Sequence, residues 1–220
     1  MKMIKFMMVA ATALPMMLAV PASADVEVVF SEQIEGDMDR LNQLEVRREE
    51  FFRKYRQEGS RRFRPGRADQ VYFKNVKFAH EKLIPEVDDY SVQALANAMV
   101  AYNLSKIESH NPAHTLRVEI DDFNVSNYSL ARYSQGPTRM KGTMSIIDAN
   151  GRVVRSERVV TALLPKFSSV IRYDGEEYAY LRDMMNVRVG PMLASFLEKG
   201  MEDLYPDADV PGPIFLRRRN

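Results

Sequence analysis

Two histidines, two aspartate pairs and one serine pair are the residues whose types and spacing could do chemistry in this chain. His110 and His114 stand four positions apart, which on a helix would aim two imidazoles at one metal ion. Pro112 lies between them and stops a helix before His114, and no Glu completes an H-E-x-x-H pattern. His80 is the remaining histidine, so the pair reads as turn residues rather than ligands. Asp121-Asp122 and Asp88-Asp89 could do acid–base work if burial split their pKa values. No second group of matching role accompanies either pair, and both fit duties at a strand end and a helix start. Ser168-Ser169 has no base that spacing identifies, and no G-x-S-x-G, S-x-x-K, Walker or G-x-G-x-x-G motif occurs. The 14 methionines include several near the N-terminus, and the rest fall mostly at core spacing, so core filling explains them better than copper ligation. These readings assign no catalytic residue, no cofactor and no metal ligand.

A stronger signal is segregated charge. From Asp25 to Glu45 there are seven acidic residues and one Arg. From Arg47 to Arg67 there are nine basic residues against three Glu, with Phe and Tyr between them. Arg47, Arg48, Arg53, Lys54 and Arg56 lie on the helical part of this tract and are candidate partner-binding residues. The plainer reading is a solvated helix face, with Glu49 and Glu50 pairing to Arg53 and Lys54 four residues on. A second candidate surface is the link Ser126–Pro137, longer than a hairpin needs and carrying Tyr128 and Tyr133.

The elements that would position these groups centre on Thr115–Leu164, which reads as a three-stranded antiparallel meander. Leu116, Val118 and Ile120 alternate with Arg117 and Glu119, the period of a strand with one dry face. Met140, Gly142, Met144 and Ile146 repeat the pattern, and Asp148-Ala149-Asn150-Gly151 turns the chain into a third strand. Helices cover this sheet. Asp37–Glu58 is a charged helix with a thin apolar stripe (Met38, Leu41, Leu44, Phe51, Phe52, Tyr55). Residues 91–108 form the clearest helix, with Ser91 as N-cap, and 176–204 a final helical region that Gly190-Pro191 should kink or split. Short strands are expected at Asp25–Phe30 and 71–79, and Lys166–Tyr173 reads as either strand or flap. The expected class is α+β, an antiparallel sheet covered by helices, with the charged N-terminal helix as an arm. Domain boundaries follow as 25–67 for the arm, 68–205 for the sandwich and 206–220 for a Pro-rich basic tail.

Residues 1–24 read as an address. Lys2 and Lys5 precede an apolar run from Phe6 to Val20, and Ala22-Ser23-Ala24 is an A-x-A-type cleavage site. The run falls short of the roughly 20 residues of a membrane span, so cleavage is expected after Ala24, with no span in the mature chain. Removing Lys2 and Lys5 leaves a nearly neutral protein, so global charge implies no polyanion partner. With no Cys, the chain has no disulfide, thiol nucleophile or lipid-modified cysteine. The expected compartment is a Gram-negative periplasm, where nucleic acid is not a partner.

The order strand, helix, meander, helix resembles small envelope domains of bacterial lipoproteins and transport-auxiliary proteins. The resemblance rests on Val71–Ala79, Ser91–Ile107, Leu116–Ile120 and the hairpin Gly142–Gly151, less than half of the mature chain. It implies a non-enzymatic role, and the chain departs from these proteins in lacking the lipid-attachment cysteine. The expectation is a non-catalytic envelope protein that binds a protein partner or an anionic lipid or glycolipid surface. Its alternatives are a hydrolase with a carboxylate/His site, or a carrier of a small apolar ligand.

Overall fold

The computed structural model describes residues 26–57, 78–124, 139–162, 166–168, 177–181 and 189–216. The expected leader, residues 71–77 of the expected strand 71–79 and the link Ser126–Pro137 with Tyr128 and Tyr133 lie outside these residues. In chain order the elements are β1 (Val26–Phe30), α1 (Glu32–Gln57), α2 (Ala79–Leu83), α3 (Val92–Leu104), β2 (Thr115–Asn124), β3 (Arg139–Ile147) and β4 (Val153–Ala162). They continue with β5 (Lys166–Ser168), β6 (Tyr178–Leu181), α4 (Val189–Leu204) and β7 (Pro213–Leu216). The class is α+β, as the sequence predicts.

The meander forms as read. β2 pairs antiparallel with β3, and β3 with β4, with Leu116 opposite Ile146 and Val118 opposite Met144. Leu116, Val118, Ile120, Met140 and Met144 are buried under the helices, while Arg117, Glu119, Lys141 and Thr143 face outward. The β3–β4 turn closes on Gly151 at φ 78°, a conformation that favours glycine. Asp148 accepts the backbone N–H groups of Asn150 and Arg152, at 2.8 and 2.9 Å, which with the Arg152 side chain hold its carboxyl below the usual range.

The sheet is mixed rather than wholly antiparallel. β1 runs parallel to β2, Val26 opposite Leu116 and Phe30 opposite Ile120, giving the order β1-β2-β3-β4. A parallel pair needs a long crossover, and α1, α2 and α3 lie in the chain between these two strands. On the covered face α4 lies along β3 and β4, and α3 lies beside β1 and α4. At Gly142 a side chain would run into the Glu119 carbonyl and the Phe196 ring, so the glycine lets α4 seat its aromatic directly on the sheet.

Four expectations are corrected by tertiary contacts. α1 begins at Glu32 rather than Asp37, because the Ser31 carbonyl accepts the N–H groups of Ile34 and Glu35 at 2.9 Å. Ala79 belongs to a helix, not to the end of a strand. Tyr178–Leu181 is a strand and not part of the last helix, which starts at Val189 with Gly190-Pro191 in its first turn. There Pro191 does no harm, since first-turn N–H groups have no partner within the helix. Finally, the presumed tail is structural: β7 is the middle strand of a second sheet, β5-β7-β6, in which both pairings are parallel. Pro213 opens that strand, where its missing N–H is tolerated, and Phe215 and Leu216 are buried.

The second sheet is tied to the main body by buried polar groups. The Tyr178 hydroxyl donates to Asn103 Oδ1 at 2.5 Å, and Asn103 Nδ2 donates to the Pro211 carbonyl at 3.3 Å. All of Tyr178 and Asn103 is inaccessible to solvent, so an apolar replacement at either position would leave a buried group unmatched.

Candidate binding surface

α1 decides which members of the basic tract can meet a partner. Its inner face carries Ile34, Met38, Leu41, Glu45, Glu49 and Phe52 at intervals of three and four residues, all buried or packed on the core. Arg53 sits at the edge of this stripe and is 7% exposed. Its Nε donates to Glu49 Oε1 at 2.8 Å, and its two terminal nitrogens donate to the carbonyls of Ile84 and Pro85, the former at 2.7 Å. Arg53 therefore clamps α1 to the segment after α2 and presents no charge to solvent. What the sequence reads as an arm is anchored by these groups.

Arg48 is half-buried and donates to Glu45 Oε1 at 2.5 Å. The other oxygen of Glu45 accepts the Val189 N–H at 3.0 Å. One buried carboxylate thus caps the N-terminus of α4 from a different helix, where the macrodipole favours negative charge. A second cross-helix cap is made by Asn42, whose Oδ1 accepts the Val92 N–H of α3 at 2.9 Å. Neither role is visible in sequence, because both partners lie tens of residues away.

The opposite face of α1 carries its exposed side chains. Arg40, Leu44, Arg47, Phe51 and Lys54 are exposed and follow one another at intervals of four and three residues, which aligns them in a single stripe. Leu44 and Phe51 are each 41% exposed. Of the candidate residues, the structure places Arg47 and Lys54 on this stripe, Arg48 at its flank and Arg53 inside. The Arg56 side chain, like Tyr128 and Tyr133, lies outside the described residues. Arg40 and Leu44 were not candidates, although their 4-3-4-3 spacing with Arg47, Phe51 and Lys54 is present in the sequence.

The candidate chemistry residues are separated. His110 and His114 lie just before β2, and Asp121 and Asp122 lie near its other end, about 20 Å of extended strand away. Asp121 is the extra residue of a bulge in β2, since Ile120 pairs with Gly142 and Asp122 with Lys141. The bulge lets Ile120 and Phe123 both face inward and leaves two successive aspartates outside. Asp121 pairs with Arg158, and Asp122 lies 3.6 Å from Arg139 and 4.0 Å from Lys141. With Asp37, Gln33, Ile34, Leu41 and Phe123 they line an open groove of about 190 Å³ beside the first turns of α1. Asp121 and Asp122 already have cationic partners, and the described residues hold no group of three or more acidic, His or Cys side chains placed for a metal ion.

His110 has a structural partner instead. Its Nδ1 lies 2.7 Å from the Tyr205 hydroxyl. Burial, reinforced by the nearby His114, holds the imidazole below its ordinary 6.5, and burial pushes the Tyr205 phenol up to about 12. A neutral imidazole facing an un-ionised phenol is a hydrogen-bonded pair in which the imidazole tautomer sets the donor. Asp88 and Asp89 are exposed in the turn before α3, whose N-cap is Ser91, with Oγ accepting the Ala94 N–H at 3.0 Å. No helix among the described residues is long and apolar enough to cross a membrane. No family model matches the chain, and no curated protein or solved structure is significantly similar to it.

Proposed function

We propose that the chain is a non-catalytic binding protein of the bacterial envelope, exported with cleavage after Ala24, which meets an acidic partner through the outer face of α1. One observation carries the reading: Leu44 and Phe51 stand exposed in a line with Arg40, Arg47 and Lys54, on a helix whose other face is fixed to the core. Apolar side chains between cations provide area to bury and charge to orient an anionic surface. The leader-like residues 1–24 and the resemblance of the 71–162 region to envelope domains support the compartment. A protein partner or an anionic lipid or glycolipid surface would satisfy the same stripe.

The test is a crosslinking pull-down of the mature chain from periplasmic and envelope fractions, run beside flotation with vesicles of neutral and anionic lipid. Arg47→Ala with Lys54→Ala removes the outward charge without touching Arg53. Capture of a specific protein, or binding to anionic vesicles alone, is expected, with loss in the double variant and weakening by salt. Unchanged capture by the double variant, or none by either chain, would overturn the reading.

A further inference from the structure

The outer stripe of α1 carries both signs of charge. Asp37 is exposed three residues before Arg40, so the line reads Asp37, Arg40, Leu44, Arg47, Phe51 and Lys54. Its intervals of three and four residues follow the period of a coiled-coil seam, over about 26 Å of helix. Asp37, Arg40, Arg47 and Lys54 have no ion-pair partner among the described residues. A lipid surface takes a helix with a broad apolar face and cations at its margins. Here cations and apolar side chains alternate along one narrow line, and Asp37 at its end would be repelled by anionic headgroups. The line fits a second helix that itself presents both signs.

Run antiparallel to itself, α1 is such a helix. Its first half is acidic on the surface, with Glu32, Glu35, Asp37 and Asp39 exposed, and its second half carries the exposed Arg47 and Lys54. In a parallel pair each seam residue meets its own copy, which would set Arg40, Arg47 and Lys54 each against the same cation. In an antiparallel pair with the two-fold axis between Glu45 and Val46, Asp37 lies opposite Lys54 of the partner subunit. Arg40 then lies opposite Phe51 of the partner subunit, and Leu44 opposite Arg47 of the partner subunit. No cation stands opposite another, opposite charges close both ends, and the Arg40 guanidinium is set against an aromatic ring. A shift of one heptad either way carries Lys54 beyond the start of the facing helix, or Asp37 beyond its end.

We propose that two copies of the chain pair antiparallel through α1 in this register, an inference that rests on the outer stripe being a contact surface. The acidic partner of the stripe is then the first half of a second α1. Sedimentation of the mature chain at about 100 µM should show a dimer. D37K should weaken it by about tenfold or more, because lysine then faces lysine at both ends, and K54D should do the same with aspartate against aspartate. Mixed in equal amounts, the two variants should recover the dimer, since each lysine then faces an aspartate. Asp37 and Lys54 are exposed, so neither change should disturb folding. D37K also separates self-pairing from capture of another anionic partner: its added positive charge should leave such capture intact while self-association falls. A monomer at about 100 µM, a D37K dimer as tight as the unmodified one, or a mixture of the variants that stays apart would each overturn the pairing. If that monomer still captures an anionic protein or vesicle through Arg47 and Lys54, the stripe stands as a contact surface and a second copy is not its occupant.

Discussion

Arg53 and Lys54 are neighbours in sequence and opposites in the fold. Arg53 lies inside, its guanidinium shared between Glu49 and two backbone carbonyls, while Lys54 stands on the solvent side with Arg47, Leu44 and Phe51. One residue of helix turns the side chain by about 100°, enough to move a charge from the core margin to the surface. A run of basic residues on a helix is therefore not one surface. Here it divides into a clamp that holds α1 and a stripe that α1 displays.

That division can be broken from the inside first. Arg53→Ala should destabilise the protein by about 3 kcal/mol or more, because it removes three donors and leaves the buried Glu49 without this cation. Urea unfolding measures it, and a loss below about 1 kcal/mol would mean that the clamp does not hold α1. Glu45→Ala should cost about 1–2 kcal/mol, the scale of a lost helix cap with a buried donor at Val189. Amide exchange should show the first turn of α4 opening more readily in this variant, whereas exchange confined to α1 would count against a cap.

The next effect appears as a slope rather than a midpoint. The folded pKa of His110 lies below its unfolded 6.5, so the unfolded chain takes up the proton more readily. The stability held by neutral His110 is complete above about pH 7 and is lost as pH falls through 6.5 towards the depressed folded value. H110N keeps an acceptor near Tyr205 and removes the titration, and should flatten the dependence between pH 7.5 and 5.5. Equal slopes in the two proteins would assign the effect to other groups.

The smallest stability change is expected on the outer face. Arg47→Ala with Lys54→Ala should shift stability by less than about 0.5 kcal/mol, since neither side chain is buried. A marked loss of stability would show that the outward stripe is also structural, and the contrast with Arg53 would disappear.

The amount legible in the sequence tracks how local the deciding interaction is. The meander, its Gly151 turn and the Ser91 cap were readable because alternation, turn chemistry and capping act within a few residues. The bulge at Asp121 was not, although two aspartates where the alternation predicts one inward residue mark the conflict it resolves. Tyr178–Leu181 reads as helix because its apolar residues fit helical spacing. It is a strand because β7, more than thirty residues later in the chain, supplies a backbone to pair with.

The sequence by itself determined the class of the fold, the three strands of the meander and the long buried helix. Each follows from periodicity and from side chains acting on their own backbone. Tertiary structure alone decided that β1 pairs parallel, that the C-terminal segment is a central strand and that Glu45 caps a helix far along the chain. It also decided which of the basic residues face outward. Those outcomes depend on partners distant in sequence, and burial of a charge is set by the carbonyls and carboxylates that the fold happens to bring within reach.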